Sequence, residues 1–341
     1  LWIATGCGMW DRDGTKTQPL TRRLKQRYRS TDVQTTLRAP VHFVGTGLHT
    51  GRAVRMRVMP AAAHFGIWFR RTDIAGADGR DPLIPARYDL VDDTPLCSRL
   101  INADGVEVST VEHLMAALVG TGIHNALIEI DGPEVPILDG SAAPFVRALL
   151  ARGLTRHSAP IQALEILRPV MVRQGAASAA LLPGDGLSMA FRIEFSDSAI
   201  GVQSRETDLA NGTFVRDLCD SRTFCRAADV EAMRAAGLAL GGTYENAVVV
   251  DGDRVLSPGG LRHVDEAVRH KMLDALGDLA LAGAPILGRY EGVRAGHALT
   301  NRLLRKRFAT HGASRVIECS PAQARRLPGK GVVAEDLANV A

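Results

Sequence analysis

The sequence predicts an α+β protein built as two layered halves with a cleft between them. Two observations carry that expectation. Stretches with a strand period are followed by a packing helix twice along the chain, once before and once after the polar linker "RHSAPIQA". At 341 residues the chain is also long enough for two domains, and its 46% hydrophobic and 23% charged residues are those of a globular protein. No internal repeat is strong enough in sequence to show that one half duplicates the other.

Residues 1–34 mix Gly, Thr, Gln and Arg without a sustained period and are expected to be a disordered or mis-assigned extension. The first domain is expected over 35–155. In it "AVRMRVMP" alternates Val54, Met56 and Val58, and "FGIWFRR" continues a meander. "STVEHLMAALVGTG" reads as a short helix closed by Gly120 and Gly122, "HNALIEI" as a strand, and "PFVRALLARG" as a helix stopped by Gly153. The second domain, over 162–302, opens with strands at "VMVRQG", "AALLPG" and "LSMAFRIEF". A polar loop leads to "RTFCRAADVEAMRAAGLALGG", read as a helix flanked by turns, and to the strand "NAVVVDG". A helix over 264–282 follows, with Val264, Val268, Met272, Ala275, Leu276 and Leu279 as its core flank. "PILGRYEG" and the helix in "HALTNRLLRKRF" come next, and residues 303–341 hold that helix's end and, from 320, a tail expected to be loosely held.

The formal net charge is +4, but residues 1–34 carry seven Lys/Arg against three Asp, so the rest of the chain is neutral in sum. The basic excess is one segment, "TRRLKQRYR", which gives no basic groove in the folded body, and nucleic acid is not an expected partner. A solvated tail is the plain reading of that segment, and contact with anionic lipid or nucleic acid the minority one. Cys7, Cys97, Cys219, Cys225 and Cys319 are odd in number and contain no CxxC, so neither a disulfide framework nor a thiolate zinc site is indicated. A reducing compartment fits them best. No apolar run approaches the ~20 residues that span a bilayer, and "LWIATGCGMW" makes a poor signal peptide.

Three groups of residues have spacings that suit chemistry. In "VRHKMLDALGDL", His270, Asp274 and Asp278 recur every four residues and form one polar stripe on a helix. An i, i+4 pair is how many zinc enzymes supply two ligands, although HxxxD alone is equally a salt-linked surface face. "STVEHL" places Glu112 beside His113 at a helix start, which suits a third ligand and a general base. The same letters fit a capping box, with Glu112 bonding back to the Ser109 amide. "AGHALTN" offers His297, which a nearby Asp278 would keep protonated as a general acid; alone it is an ordinary surface or packing histidine. "HTG" at His49 and "DGS" at Asp139 read as turns. Glycine-rich stretches lack the Gly-Lys-Ser/Thr of a phosphate loop, so nucleotide hydrolysis of that kind is unsupported.

Taken together and in order, "GTGLHTG", "STVEHLMAAL", "PILDGSAAPF", "SRTF", "VVVD", "VRHKMLDALGDL" and "GHALTN" resemble the UDP-3-O-acyl-N-acetylglucosamine deacetylases of Gram-negative bacteria, zinc amidases at the committed step of lipid A synthesis. The resemblance spans about residues 36 to 302. It implies two α+β domains packed face to face, each with a small insert and the active site in the cleft. It implies Zn²⁺, with Fe²⁺ accepted as well, on His113, His270 and Asp274. It implies Glu112 as general base, His297 as acid or electrostatic stabiliser oriented by Asp278, and Thr223 as a donor to the oxyanion. Phe224 would pack on the glucosamine and Lys271 would face the phosphates, while Gly242, Tyr244, Ala247 and Val249 would line an apolar passage for the acyl chain. Cys97 falls where the family has a cysteine close to the metal. The expected protein is a cytoplasmic monomer acting on a small acylated UDP-sugar; a non-catalytic sugar-nucleotide or lipid binder on the same scaffold is the alternative. One departure stands out: where the family commonly reads Arg-Thr-Phe-Gly-Phe, this chain has Cys225 and Arg226 after Phe224.

Overall fold

Alternating side chains set the first sheet. In Ala53–Pro60 the residues Val54, Met56 and Val58 are buried while Ala53, Arg55 and Arg57 face water, the pattern of a sheet with one wet face. In the computed structural model, which describes residues 32–74, 79–92, 96–333 and 335–336, this strand lies second in a five-stranded sheet. The order is Val41–Thr46, Ala53–Pro60, Ala126–Ile130, Ile67–Arg71 and Leu83–Pro85, antiparallel except where Ala126–Ile130 runs parallel to Ile67–Arg71. Two helices accompany it, α1 (Glu112–Gly120) and α2 (Ala143–Arg152), and Phe43 of the sheet meets Phe145 of α2 edge-to-face at 5.0 Å. A three-stranded insert, Val91–Asp92, Arg99–Ile101 and Glu107–Val108, stands apart from that sheet.

The second half is built around Ile286–Val293, which pairs antiparallel with Ala177–Leu182 and parallel with both Leu187–Glu194 and Gln162–Ile166 in a seven-stranded sheet. Its helices are α3 (Thr213–Asp217), α4 (Ala227–Ala235), α5 (Glu266–Ala280), α6 (His297–Ala309) and α7 (Pro321–Arg325). Strands Phe224–Arg226, Val248–Asp251 and Arg254–Val255 form its insert, with α4 running between the first two. An α+β fold with two halves, each carrying a small insert, is what the sequence led one to expect.

The decisive packing is helix on helix across the halves. Nearly every residue of α1 is buried, as is most of α5, so each is a core helix rather than a surface one. A Cβ built on Gly277 of α5 would lie 2.0 Å from the carbonyl oxygen of Glu112, so the absence of a side chain there is what lets the two helices touch at the level of His113.

Several local expectations need correction. Residues 1–31 of the expected 1–34 extension lie outside the described residues, but Val33 and Gln34 already belong to a strand, Val33–Leu37, paired antiparallel with Leu154–Pro160. The stretch read as a linker is therefore a strand whose partner was not visible in its polar letters. Val264 is 88% exposed and precedes α5, so it is not part of the core flank; the other five residues named are buried. "RTFCR" ends in the strand Phe224–Arg226, and the chain turns helical only at Ala227. Within the expected polar loop lies the strand Val202–Asp208, with no buried face to give it an apolar period. The tail is not loose through Leu327: a capping box of Ser320 and Gln323 opens α7, and Cys319, Ala324 and Leu327 bury against Ile161, Ala163 and Leu287.

Candidate active site

The i, i+4, i+8 stripe of α5 turns toward the N-terminal end of α1, and all its members are buried. The Nε2 atom of His270 lies 3.2 Å from Oδ1 of Asp274, and Nε2 of His113 lies 3.5 Å from the same oxygen. The two imidazoles stand perpendicular at a centroid distance of 5.0 Å. Among the described residues His113, His270 and Asp274 form the one group of three His, Cys, Asp or Glu whose ligand atoms lie within 4.8 Å of one another. Two further observations test whether the group suits a cation. The Nδ1–H of His270 donates to the Ser221 carbonyl at 3.0 Å, which leaves its Nε2 lone pair facing the cluster. Asp274 Oδ1 is buried and has no hydrogen-bond partner, while its Oδ2 accepts from the Lys271 ammonium at 2.7 Å. A buried carboxylate oxygen without a hydrogen bond, facing two imidazole nitrogens at 3.2 and 3.5 Å, is a costly arrangement that a divalent cation would relieve. The donor set fits.

Around this cluster the charges are sorted. Burial pushes the Glu112 carboxyl up to about 7, against the opposing pull of His297. Burial also works against a charged His297, but Asp278 and then Glu112 outweigh it and hold the imidazolium up to about 9. The Nδ1–H of His297 donates to the Asp278 carboxylate at 3.0 and 3.1 Å, and the other ring nitrogen lies 3.8 Å from Glu112 Oε1. Burial raises Asp274, yet His270 and Lys271 together keep it well below the usual carboxylate range. Burial lowers His113, which favours the neutral ring that a metal ligand needs. The capping box read into "STVEHL" does not form. Ser109 donates to the Pro133 carbonyl instead, and Glu112 Oε2 accepts from the Ser98 amide at 3.0 Å.

Beside the cluster opens a cavity of about 190 Å³ bordered by Thr223, Phe224, Gly242, Tyr244, Ala247 and Val249. Phe224 also stands edge-on to His270 at 6.2 Å. All six of these residues were singled out from sequence; of the others that share the wall, Leu48, Val230 and Met233 were not, and Cys225 was noted only as a departure from the family pattern. His49 was read as a turn residue. Its ring is buried with neither nitrogen hydrogen-bonded, because Glu134 fastens the loop through the amides of His49 and Thr50 rather than through the imidazole. Only its lone position in a glycine-rich loop hinted at this. Asp139 keeps its turn role, accepting from the Ser141 amide at 2.9 Å. Next to it Gly140, at φ 84°, passes so close to the Asn246 carbonyl that a Cβ would sit 2.0 Å away. Lys271, expected to face phosphates, has its ammonium on Asp274. Cys97 is buried beside His297 but is not one of the converging groups.

A sequence model of UDP-3-O-acyl N-acetylglycosamine deacetylase matches residues 34–309. The chain belongs to that deacetylase family. Among relatives, the UDP-3-O-acyl-N-acetylglucosamine deacetylase of Phenylobacterium zucineum is 52% identical over 283 residues, 83% of this chain and 96% of the relative. The proteins of the same name from Shewanella oneidensis and Shewanella frigidimarina are each 45% identical over 282 residues, 82% of this chain and 91% of theirs. Membership makes the chain a hydrolase of a metalloenzyme family, and His113, His270 and Asp274 form a group that could hold a metal ion. The departures at Cys225 and Arg226 have local accounts. Cys225 is a small wall residue of the cavity, and Arg226 reaches away from it to pair with Asp197 at 2.5 Å. No helix among the described residues is long and apolar enough to cross a membrane.

Proposed function

We propose that the chain hydrolyses the acetamide of UDP-3-O-[(3R)-3-hydroxyacyl]-N-acetylglucosamine, releasing acetate and the free amine, at the committed step of lipid A biosynthesis. The observation that carries this is the meeting of His113, His270 and Asp274 beside a carboxyl pushed up to about 7 and an imidazolium held up to about 9. A non-catalytic binder would have no use for that pairing of base and acid.

His113, His270 and Asp274 would hold the divalent cation, Zn²⁺ first and Fe²⁺ where it is the more available. Bound there, the cation supplies Lewis acidity, which makes a water a stronger acid and polarises the amide carbonyl. Glu112 takes the proton of the attacking water; at a value near 7 it is a base at neutral pH and can give that proton up again. The Thr223 hydroxyl donates to the carbonyl oxygen as negative charge grows on it, an interaction worth ~3–4 kcal/mol when well placed. His297, kept charged by Asp278, steadies the same charge and delivers a proton to the departing amine. Phe224 packs on the glucosamine, the Lys271 ammonium stays on Asp274 Oδ2 and balances that carboxylate, and the cavity bordered by Gly242, Tyr244, Ala247 and Val249 takes the 3-O-acyl chain. The protein acts as a cytoplasmic monomer on this small molecule, with any membrane contact peripheral.

Acetate release from the acylated UDP-sugar, followed together with bound-metal content, tests the proposal. Chelation should abolish activity and lower Tm, and one equivalent of Zn²⁺ should restore both. Full activity in the metal-free protein would sink it.

A further inference from the structure

We propose that Ser98 is a positioning residue that holds the base and the acid of this site in register. The proposal rests on the deacetylase mechanism above. Ser98 immediately precedes Arg99–Ile101, the middle strand of the first insert, and is 1% exposed. Three of its groups are engaged. Its amide donates to Glu112 Oε2 at 3.0 Å, its hydroxyl donates to Asp278 Oδ1 at 2.6 Å, and its carbonyl accepts the Val111 amide, at the start of α1, at 3.3 Å. One residue thus joins a carboxylate from α1 to a carboxylate from α5, 180 positions apart from it in sequence in the latter case.

Each bond answers a geometric question that the reaction poses. A carboxylate base has two equivalent oxygens, and only one can face the water. The Ser98 amide occupies Oε2, which leaves Oε1, the oxygen 3.8 Å from His297, for proton transfer. Asp278 must present its carboxylate to Nδ1 of His297 without swinging about its last torsion, which is soft. The Ser98 hydroxyl holds Oδ1 while both oxygens stay 3.0–3.1 Å from the ring nitrogen. Asp278 is 2% exposed, so no bulk water stands ready to replace that donor. Ser98 does not border the cavity assigned to the acyl chain, so it bears on catalysis and not on substrate binding.

The test is Ser98→Ala, which deletes the hydroxyl and keeps the amide. Loss of a hydrogen bond to a buried charge predicts that kcat falls about ten- to hundred-fold. KM should stay within about two-fold and metal content should equal that of the parent. In an Asp278→Ala background the same change should cost under about two-fold more, because its target is gone. A Ser98→Ala enzyme with parental kcat, a loss that appears in KM, or a full second loss beside Asp278→Ala would each overturn the proposal. So would loss of metal or of fold, which would make Ser98 a structural residue only. If the parent itself releases no acetate, the functional proposal fails instead, so the two failures are distinct.

Discussion

Replacing Gly277 by alanine sets two known effects against each other. In a helix interior Ala is better than Gly by ~1 kcal/mol, so the substitution taken alone should stabilise α5. At this position the new Cβ would lie 2.0 Å from the Glu112 oxygen, 2.7 Å from its carbonyl carbon and 2.9 Å from its Cα. All three are backbone atoms, so no rotamer change can relieve the overlap. An ordinary contact distance of about 3.4 Å requires the helices to part by more than an ångström, and overpacking of that kind costs ~1–3 kcal/mol. The clash should win, giving a net loss of up to ~2 kcal/mol and a Tm lower by up to roughly 3 °C for a chain of this size. The functional loss should be larger than the loss of stability. The same displacement separates Glu112 and His113 on α1 from His270 and Asp274 on α5, and a misplacement of about 1 Å costs on the order of 100-fold in rate. Thermal unfolding, bound zinc and kcat/KM of Gly277→Ala would decide. A variant with raised Tm, one equivalent of zinc and parental kcat/KM would show that the α1–α5 approach does not set the site.

Two further substitutions separate chemistry from architecture. Glu112→Gln should keep one equivalent of zinc while kcat drops by about 10²–10⁴-fold; retention of most of the acetate release would show that another group is the base. Glu266→Gln addresses the buried pair with Arg222, in which the carboxylate accepts from Nε and the amide of Arg222 and from the Arg262 amide. Burial raises Glu266, but those bonds outweigh it and depress its pKa below the ordinary 4.5. A depressed native pKa contributes stability that is full above 4.5 and is lost as pH falls through the lower folded value. The variant should therefore lose ~3 kcal/mol at pH 7 and show a flatter decline in Tm on acidification than the parent; equal acid slopes would remove Glu266 from the account.

What could be read from the letters was whatever had a period or a motif. His270, Asp274 and Asp278 are legible because a helix of 3.6 residues per turn brings i, i+4 and i+8 to one face. The α+β class followed from alternations such as Val54, Met56 and Val58, which the structure buries. The strand Val202–Asp208 was illegible because it is an edge strand without a buried face, so pairing with Leu187–Glu194, not hydrophobicity, makes it a strand. His49 and Ser98 were illegible for another reason. Their surroundings come from residues far along the chain: Glu134 beneath the His49 loop, and Asp278 against the Ser98 hydroxyl. The capping box failed on the same ground, since Ser98 offered Glu112 a buried amide that no local spacing announces.

The division of labour between base and acid has its origin in that long-range supply. Glu112 and Asp278 are both carboxylates in one buried pocket, yet they meet different partners. Glu112 takes one neutral amide on Oε2 and is left with a distant imidazolium, so burial dominates and its pKa rises to about 7. Asp278 faces His297 directly with both oxygens and takes the Ser98 hydroxyl as well, so its charge is spent on holding His297 at about 9. Two chemically alike groups thus become a proton acceptor and the anchor of a proton donor, a separation set by donors around them and not by the side chains themselves. The interval between about 7 and about 9 is then the range in which an ionised Glu112 and a protonated His297 coexist, as hydrolysis of an amide requires of its base and its acid.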